Sequence, residues 1–284
     1  MYISERCAEC LYSKQEEASK DPSYLKEVRE LLDARRETDT APYMVYLFDR
    51  AYQKRFGAPA DYSRIKKEFN DLALSMEADA EKRIAQAPDP LAEAFVLARA
   101  GNYIDFGAMD NVDSDTFAGL FSNAKMSEKD WITFRSFREQ CKTAQRFLLI
   151  ADNCGEIVFD RLFVEQLHRE YPHLQLYVMV RGGEVLNDVT AEDAAYVGMD
   201  KAAKIVSNGK AVAGTIYELL APEAKEILDK ADIVLCKGQG NYESLSRQGR
   251  HAFYAFLCKC DLFTEGYQVP QFTGMFVEEG LEDV

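Results

Sequence analysis

The chain has 284 residues, 47% of them hydrophobic, with 48 acidic side chains against 34 basic ones and a formal net charge of -14. That length suits one large domain or two modest ones with an ample core, and the acidic balance excludes an extended nucleic-acid or anionic-membrane surface, which needs a basic field. The start MYISERCAEC lacks a basic region followed by an apolar core, and no window approaches about 18 uninterrupted apolar residues, so a cytoplasmic location without membrane contact is expected.

The first half reads as helical. Pro22 to Arg36 carries Leu25, Val28, Leu31 and Leu32 on one face, and Pro42 opens a second helix with Met44, Val45, Leu47 and Phe48. A long third helix is expected from about Tyr62 to Ala87, with Ile65, Phe69, Leu72, Met76 and Ile84 in one stripe. Asp89 and Pro90 form an N-cap and first-turn pair for a fourth, ending near Gly101. GNYIDFGAMDN follows, rich in Gly, Asn and Asp and without period; it reads as a loop, either a plain connection or a segment facing a site. Ser127 with Asp130 predicts a capping box for a fifth helix reaching about Thr143.

From Arg146 the period changes. Strand-like runs at about Phe147 to Ala151, Leu174 to Val180, Lys204 to Ser207, Asp232 to Cys236, Phe253 to Cys258 and Gly274 to Val277 alternate with helical ones. The helical runs are Glu156 to Tyr171, Ala191 to Met199, Thr215 to Leu220, Pro222 to Lys230 and about Tyr242 to Gln248. This alternation describes an α/β fold: a helical N-terminal region, 1–143, packed on a Rossmann-like, mostly parallel doubly wound sheet, 144–284.

Three polar clusters fall just after strands: Asp152-Asn153 with Glu156, Asn187-Asp188, and Lys237-Gly238-Gln239-Gly240-Asn241. Singly, each has an ordinary explanation as a turn, a helix cap or a solvated loop. Together they should converge on one edge of the sheet, where open α/β folds bind ligands. Asp152, Asn153 and Asp188 offer two carboxylates and an amide, a hard-oxygen set suited to Mg²⁺ or Mn²⁺. Lys237 and the glycine-bordered turn bring an ammonium and bare backbone N–H groups suited to phosphate, and Asn241 is expected to begin the next helix.

DNCGEIVFD, LNDVT, KGQGNYE and the earlier GNYIDFG, in this combination, resemble the damage-control phosphatases, metal-dependent enzymes also described as domain of unknown function family 89. Cys7-Ala8-Glu9-Cys10 is similar to the start of the archaeal and bacterial subfamily with an N-terminal CxxC. The likeness covers nearly the whole chain. It implies a helical region on a Rossmann-like domain and hydrolysis of small phosphomonoesters, sugar phosphates or damaged phosphometabolites, supported by Mn²⁺, Co²⁺, Ni²⁺ or Mg²⁺. By position it implies that Asp152, Asn153 and Asp188 hold the ion, that Glu156 lines the substrate pocket, and that Lys237 and Asn241 belong to a phosphate-binding loop. It also brings Asn102, Asp105 and Lys259 near the substrate. Asp152, Asp188 and Lys237 are then the candidate catalytic residues, with attack by water favoured over an aspartyl-phosphate on Asp152.

Two other classes are weighed. An AdoMet-dependent carboxyl methyltransferase would need a glycine-rich turn after the first strand, and Asp152 to Glu156 holds one Gly. A non-catalytic metabolite-binding protein would share the pocket and differ only in turnover. No G-x-x-x-x-G-K-[ST] occurs, since Gly209-Lys210 is followed by Ala-Val. The seven cysteines are expected to be reduced, Cys7 and Cys10 reading as core thiols first and as a metal or disulfide pair second. His168, His173 and His251 lack metal-ligand spacing.

Overall fold

A computed structural model describes residues 2–57, 61–103, 119, 121 and 123–280. It begins with a helix that no periodicity announces, α1 (Glu5–Ala18), capped by Ser4, whose hydroxyl accepts from Cys7 N. Only Ala8 and Leu11 of α1 are buried, a face too narrow to register as a stripe. In α2 (Pro22–Asp33) the Asp21 side chain accepts from Tyr24 N and Pro22 fills the first turn, so the helix starts where its caps dictate. With α3 (Ala41–Phe56) these helices enclose a small core of their own around Tyr24, Val28, Leu32, Met44 and Phe48.

Asp49 lies half-buried on α3 near Tyr24 and Tyr62, and burial pushes its carboxyl up to about 6. Between about pH 4 and that value the folded chain keeps a proton that the unfolded chain has released, so stability falls as pH rises through this window. Asp49→Asn is expected to stabilise the protein by about 1–2 kcal/mol at pH 7.5 and by nothing near pH 3.5. Urea titrations at the two pH values check this.

The expected long helix is two. α4 (Ser63–Ser75) and α5 (Glu77–Gln86) meet at Met76, which ends one and begins the other. The bend lets α4 lie on the helix after the first strand while α5 lies on α6 (Pro90–Ala100), a turn of direction one straight rod cannot make. α6, capped by Asp89, is buried along nearly its whole length. Its alanines let it approach closely, and a Cβ on the following Gly101 would stand 3.0 Å from the Phe159 ring. The Ser127–Asp130 capping box opens α7 (Glu128–Cys141) as expected. Of GNYIDFGAMDN, the part from residue 104 onward lies outside the described residues.

Among the described residues, six strands form one sheet in the order β3-β2-β1-β4-β5-β6. They are β1 (Arg146–Ile150), β2 (Gln175–Val180), β3 (Lys204–Ser207), β4 (Ile233–Lys237), β5 (Ala252–Leu257) and β6 (Gly274–Glu279). Five are parallel and β6 runs antiparallel on the β5 edge. The intervening helices are α8 (Glu156–Glu170), α9 (Ala191–Tyr196), α10 (Met199–Ala202), α11 (Pro222–Lys230), α12 (Gln239–Leu245) and α13 (Asp261–Tyr267). The run read as Ala191 to Met199 breaks at Gly198, whose φ of 81° favours glycine, and Thr215 to Leu220 yields a single 3-10 turn, Tyr217–Leu219.

Alternate β1 residues point to opposite faces. Phe147 and Leu149 join α6, α7 and α8 in one core; Leu148 and Ile150 join α11, α12 and α13 in the other. The sheet is therefore covered on both sides, as a parallel sheet must be. Helices from the first half of the chain, α4 to α7, lie in the same layer as α8 and share its core. Among the described residues no helix is long and apolar enough to cross a membrane.

Candidate active site

In the order 3-2-1-4-5-6 the chain leaves β1 toward one side and β4 toward the other, which opens a crevice between their carboxyl ends. The turn after β1 and the turn after β2 meet there. Val189 N donates to Asp152 O and Cys154 N to Asn187 O, each at 2.9 Å, and Asn153 and Asp188 form an antiparallel bridge. This backbone pairing sets Asp152, Asn153 and Asp188 side by side. Helix α4 clamps both turns: Asn70 Oδ1 accepts from Gly155 N at 2.7 Å, and the buried Lys66 ammonium reaches Glu184 at 2.7 Å and Asp193 at 2.6 Å, on either side of Asp188.

The carboxylates are tightly held. Asp152 Oδ2 accepts from Asn153 Nδ2 at 2.8 Å and from Asn102 Nδ2 at 3.1 Å; Asp188 Oδ2 accepts from Arg181 Nε at 2.6 Å. Arg181, almost wholly buried, also donates to Gly214 O and to Asn241 Oδ1, and its Nη2 stands 3.7 Å from Asp152 Oδ1. Burial, then the Asp188 and Glu156 charges, hold the Asp152 carboxyl well above the usual carboxylate range, opposed by Lys259 and Arg181. Four clustered carboxyls, Asp152, Asp188, Glu156 and Asp160, face two buried cations, Arg181 and Lys237. That excess of negative charge, and a donor set of two carboxylates and an amide, fit a divalent ion. Among the described residues no group of three His, Cys, Asp or Glu is arranged to hold a metal.

Gly238 completes the wall. Its φ is 77°, and a Cβ there would lie 1.9 Å from Asp152 Oδ2, so only a bare backbone can pass. Gly238→Ala is expected to displace the Asp152 carboxylate and weaken divalent-ion binding by about tenfold or more, measured by calorimetry, with the circular dichroism spectrum unchanged.

Asp152, Asn153, Asp188 and Lys259 line a cleft of about 650 Å³. α1 and the start of α3 also line it, through Cys7, Leu11, Pro42 and Val45. Several expectations need correction. Lys237 does not reach the cleft: it is 1% exposed, and its Nζ lies 2.5 Å from Glu156 Oε1, 2.5 Å from Asp160 Oδ1 and 2.9 Å from Ala98 O. Burial works against the Lys237 ammonium, and Asp160 and Glu156 more than offset it. Glu156 does not line the pocket either; fully buried, it accepts from Lys237 and from Asn102 Nδ2. Asn241 does not start a helix, because α12 already opens at Gln239, two residues earlier, with Gly238 at its N-cap; its amide is turned inward onto Ala151 O, Lys237 O and Arg181. Asn102 is buried behind Asp152, bridging it to Glu156, and Asp105 lies outside the described residues.

Sequence reading missed two members of this cluster. Arg181 signals itself only as a lone cation ending the apolar run QLYVMV, and Asp160 only as a second acid one helical turn after Glu156.

A doubly wound α/β protein with an acidic crevice at its switch point is the class these features define. Within that class, the profile of the damage-control phosphatase ARMT1-like domain matches residues 2–273, and the chain belongs to that family. It is 30% identical over 182 residues to a damage-control phosphatase of Pyrococcus horikoshii, a match spanning 63% of this chain and 61% of that relative. A damage-control phosphatase of Archaeoglobus fulgidus is 28% identical over 273 residues, 92% of this chain and 93% of the relative. The crystal structure of a DUF89 family protein from Pyrococcus horikoshii superposes with a TM-score of 0.78 at 24% identity, covering 98% of this chain and 99% of that one, and shares the fold.

Proposed function

We propose that this chain is a metal-dependent phosphatase acting on small phosphorylated metabolites, with one divalent ion held by Asp152, Asn153 and Asp188. The observation that carries the reading is the pairing of the two strand-end turns, which gathers these three side chains in a crevice with surplus negative charge. A bound divalent ion supplies charge neutralisation at phosphate and acidification of a water. The chain's own groups do the rest. Asn102 and Gly238 fix the Asp152 carboxylate, and Arg181 fixes that of Asp188. Lys259, facing the cleft beside Asp152, takes the role of phosphate cation first given to Lys237. The apolar wall of Leu11, Ala41, Pro42 and Val45 excludes water from the substrate's remainder.

The test is phosphate release from a panel of sugar phosphates and other phosphomonoesters with Mn²⁺, Co²⁺, Ni²⁺ and Mg²⁺ in turn. Release with at least one ion, abolished by chelator, is expected. Silence across the whole panel with every ion overturns hydrolysis and leaves a binding protein.

A further inference from the structure

The loop after β2 carries a leucine that the fold does not bury. Leu186 has a φ of 46°, in the left-handed region that a bulky side chain rarely enters. Its neighbours are anchored: Val185, Asn187, Asp188 and Val189 are buried, Asp188 N donates to Val185 O at 3.1 Å, and Asn187 O accepts from Cys154 N at 2.9 Å. This anchoring holds the strained backbone in place. The side chain itself is 45% exposed and, among the described residues, packs into neither core of the sheet. It lines the same cleft as Asp152, Asn153 and Asp188. Arg247, Gln268 and Phe272, the other non-glycine residues with a positive φ among those described, do not line that cleft. An exposed leucine on a strained backbone weakens the fold on both counts, and its position gives it to the cleft instead. Several polar groups that share the lining are already paired. Gln239 donates to Glu243 Oε1 at 2.7 Å and accepts from Lys259 N at 3.1 Å, and Arg6 pairs with Glu265 at 2.6 Å and with Asp261 at 3.5 Å. Leu11, Val45 and Leu262 join Leu186 in the apolar part of the lining.

We propose that the cleft selects phosphate esters whose organic group is apolar over sugar phosphates, and that Leu186 sets this preference. The proposal rests on the function given above for the phosphate end of the ligand, and on Leu186 for the other. Leu186 stands two residues before Asp188 and both line one cleft, so an ester held at Asp152, Asn153 and Asp188 has the leucine beside it. A hydrocarbon group laid against Leu186 removes apolar surface from water on both partners. A hydroxylated group placed there loses its water partners and meets an aliphatic side chain that offers no hydrogen bond in return. Gly or Asn would occupy the left-handed backbone with less strain, and either would give up the apolar contact.

The experiment reads binding before turnover. Calorimetry on the full chain with Mn²⁺ compares phenylphosphonate with methylphosphonate, whose C–P bonds resist hydrolysis. Phenylphosphonate is expected to bind about tenfold tighter, a ratio kept in Leu186→Met and cut to about threefold or less in Leu186→Asn. Leu186→Asn should also melt at or above the wild type, because asparagine tolerates the left-handed backbone. In turnover, benzyl phosphate, whose leaving group is an alcohol as in glucose 6-phosphate, should show the lower KM of the two, and Leu186→Asn should raise its KM more than that of the sugar phosphate. Equal affinity for the two phosphonates, a ratio unchanged in Leu186→Asn, a lower KM for glucose 6-phosphate, or a variant that melts several degrees lower and so shows the leucine to be structural, each overturns the proposal. Preferential phenylphosphonate binding without phosphate release from any ester overturns hydrolysis and leaves the preference standing; absence of binding by both phosphonates overturns the two readings together.

Discussion

Asp152→Asn is expected to lower metal-stimulated phosphate release by about a thousandfold or more, and at the same time to make the metal-free protein more stable at neutral pH. The two effects share one cause. Burial and the neighbouring Asp188 and Glu156 charges raise the Asp152 carboxyl above its ordinary value, so just above about pH 4 the folded chain keeps a proton that the unfolded chain has released. At neutral pH the unfolded chain gains more from releasing this proton than the folded chain does, so the carboxyl works against the fold and an amide removes the penalty. Thermal melts of metal-free protein should show the variant above the wild type at pH 7.5, with the gap closing toward pH 4. Added Mn²⁺ should raise the wild-type melting temperature and leave the variant unmoved. A variant that hydrolyses at the wild-type rate removes Asp152 from the reaction; a variant that melts lower at neutral pH shows that the carboxylate is already fully compensated by Arg181 and Asn102.

The second large effect concerns Lys237. Its ammonium is the only cation the structure places against Glu156 and Asp160 among the described residues, and both acids are fully buried. Even with Lys237 present, burial pushes Asp160 up to about 7. Lys237→Met is expected to cost about 3–5 kcal/mol, because it leaves an uncompensated buried charge. Urea unfolding measures the loss, and the triple variant E156Q/D160N/K237M should recover part of it by removing the stranded carboxylates. A stable Lys237→Met protein with an unchanged unfolding midpoint and a raised KM would return this lysine to the substrate.

The difference between these residues explains what the sequence could disclose. Caps are local: Asp21-Pro22, Asp89-Pro90 and the Ser127–Asp130 box name helix starts within four residues, and each helix begins there. The strands of the α/β half are legible because a sheet buried on both faces leaves unbroken apolar runs such as FLLI and IVLC. Asp152, Asn153 and Asp188 are brought side by side by the turn after β1 and the longer loop that follows β2, so position beyond the strand ends is enough to put them at one edge of the sheet. Lys237 fails the same logic. It is the last residue of β4 rather than part of the turn, and a strand residue's side chain goes to whichever face the pleat assigns, here toward α8 and α6. Asn241 is likewise displaced because Gly238, with its positive φ, starts α12 early and rotates the asparagine inward. Helix α1 escaped because two buried residues in fourteen make no pattern, yet it supplies one wall of the cleft.

The clamp exerted by α4 has a wider meaning. Asn70 and Lys66 sit far ahead of the strands in sequence, yet they grip the two loops that carry Asp152 and Asp188. The motif DNCGE is thus only half of an instruction; its shape is written by a helix some eighty residues upstream. Anyone grafting these loops onto another Rossmann scaffold must carry that helix along, or the acids will be present in composition and missing in geometry.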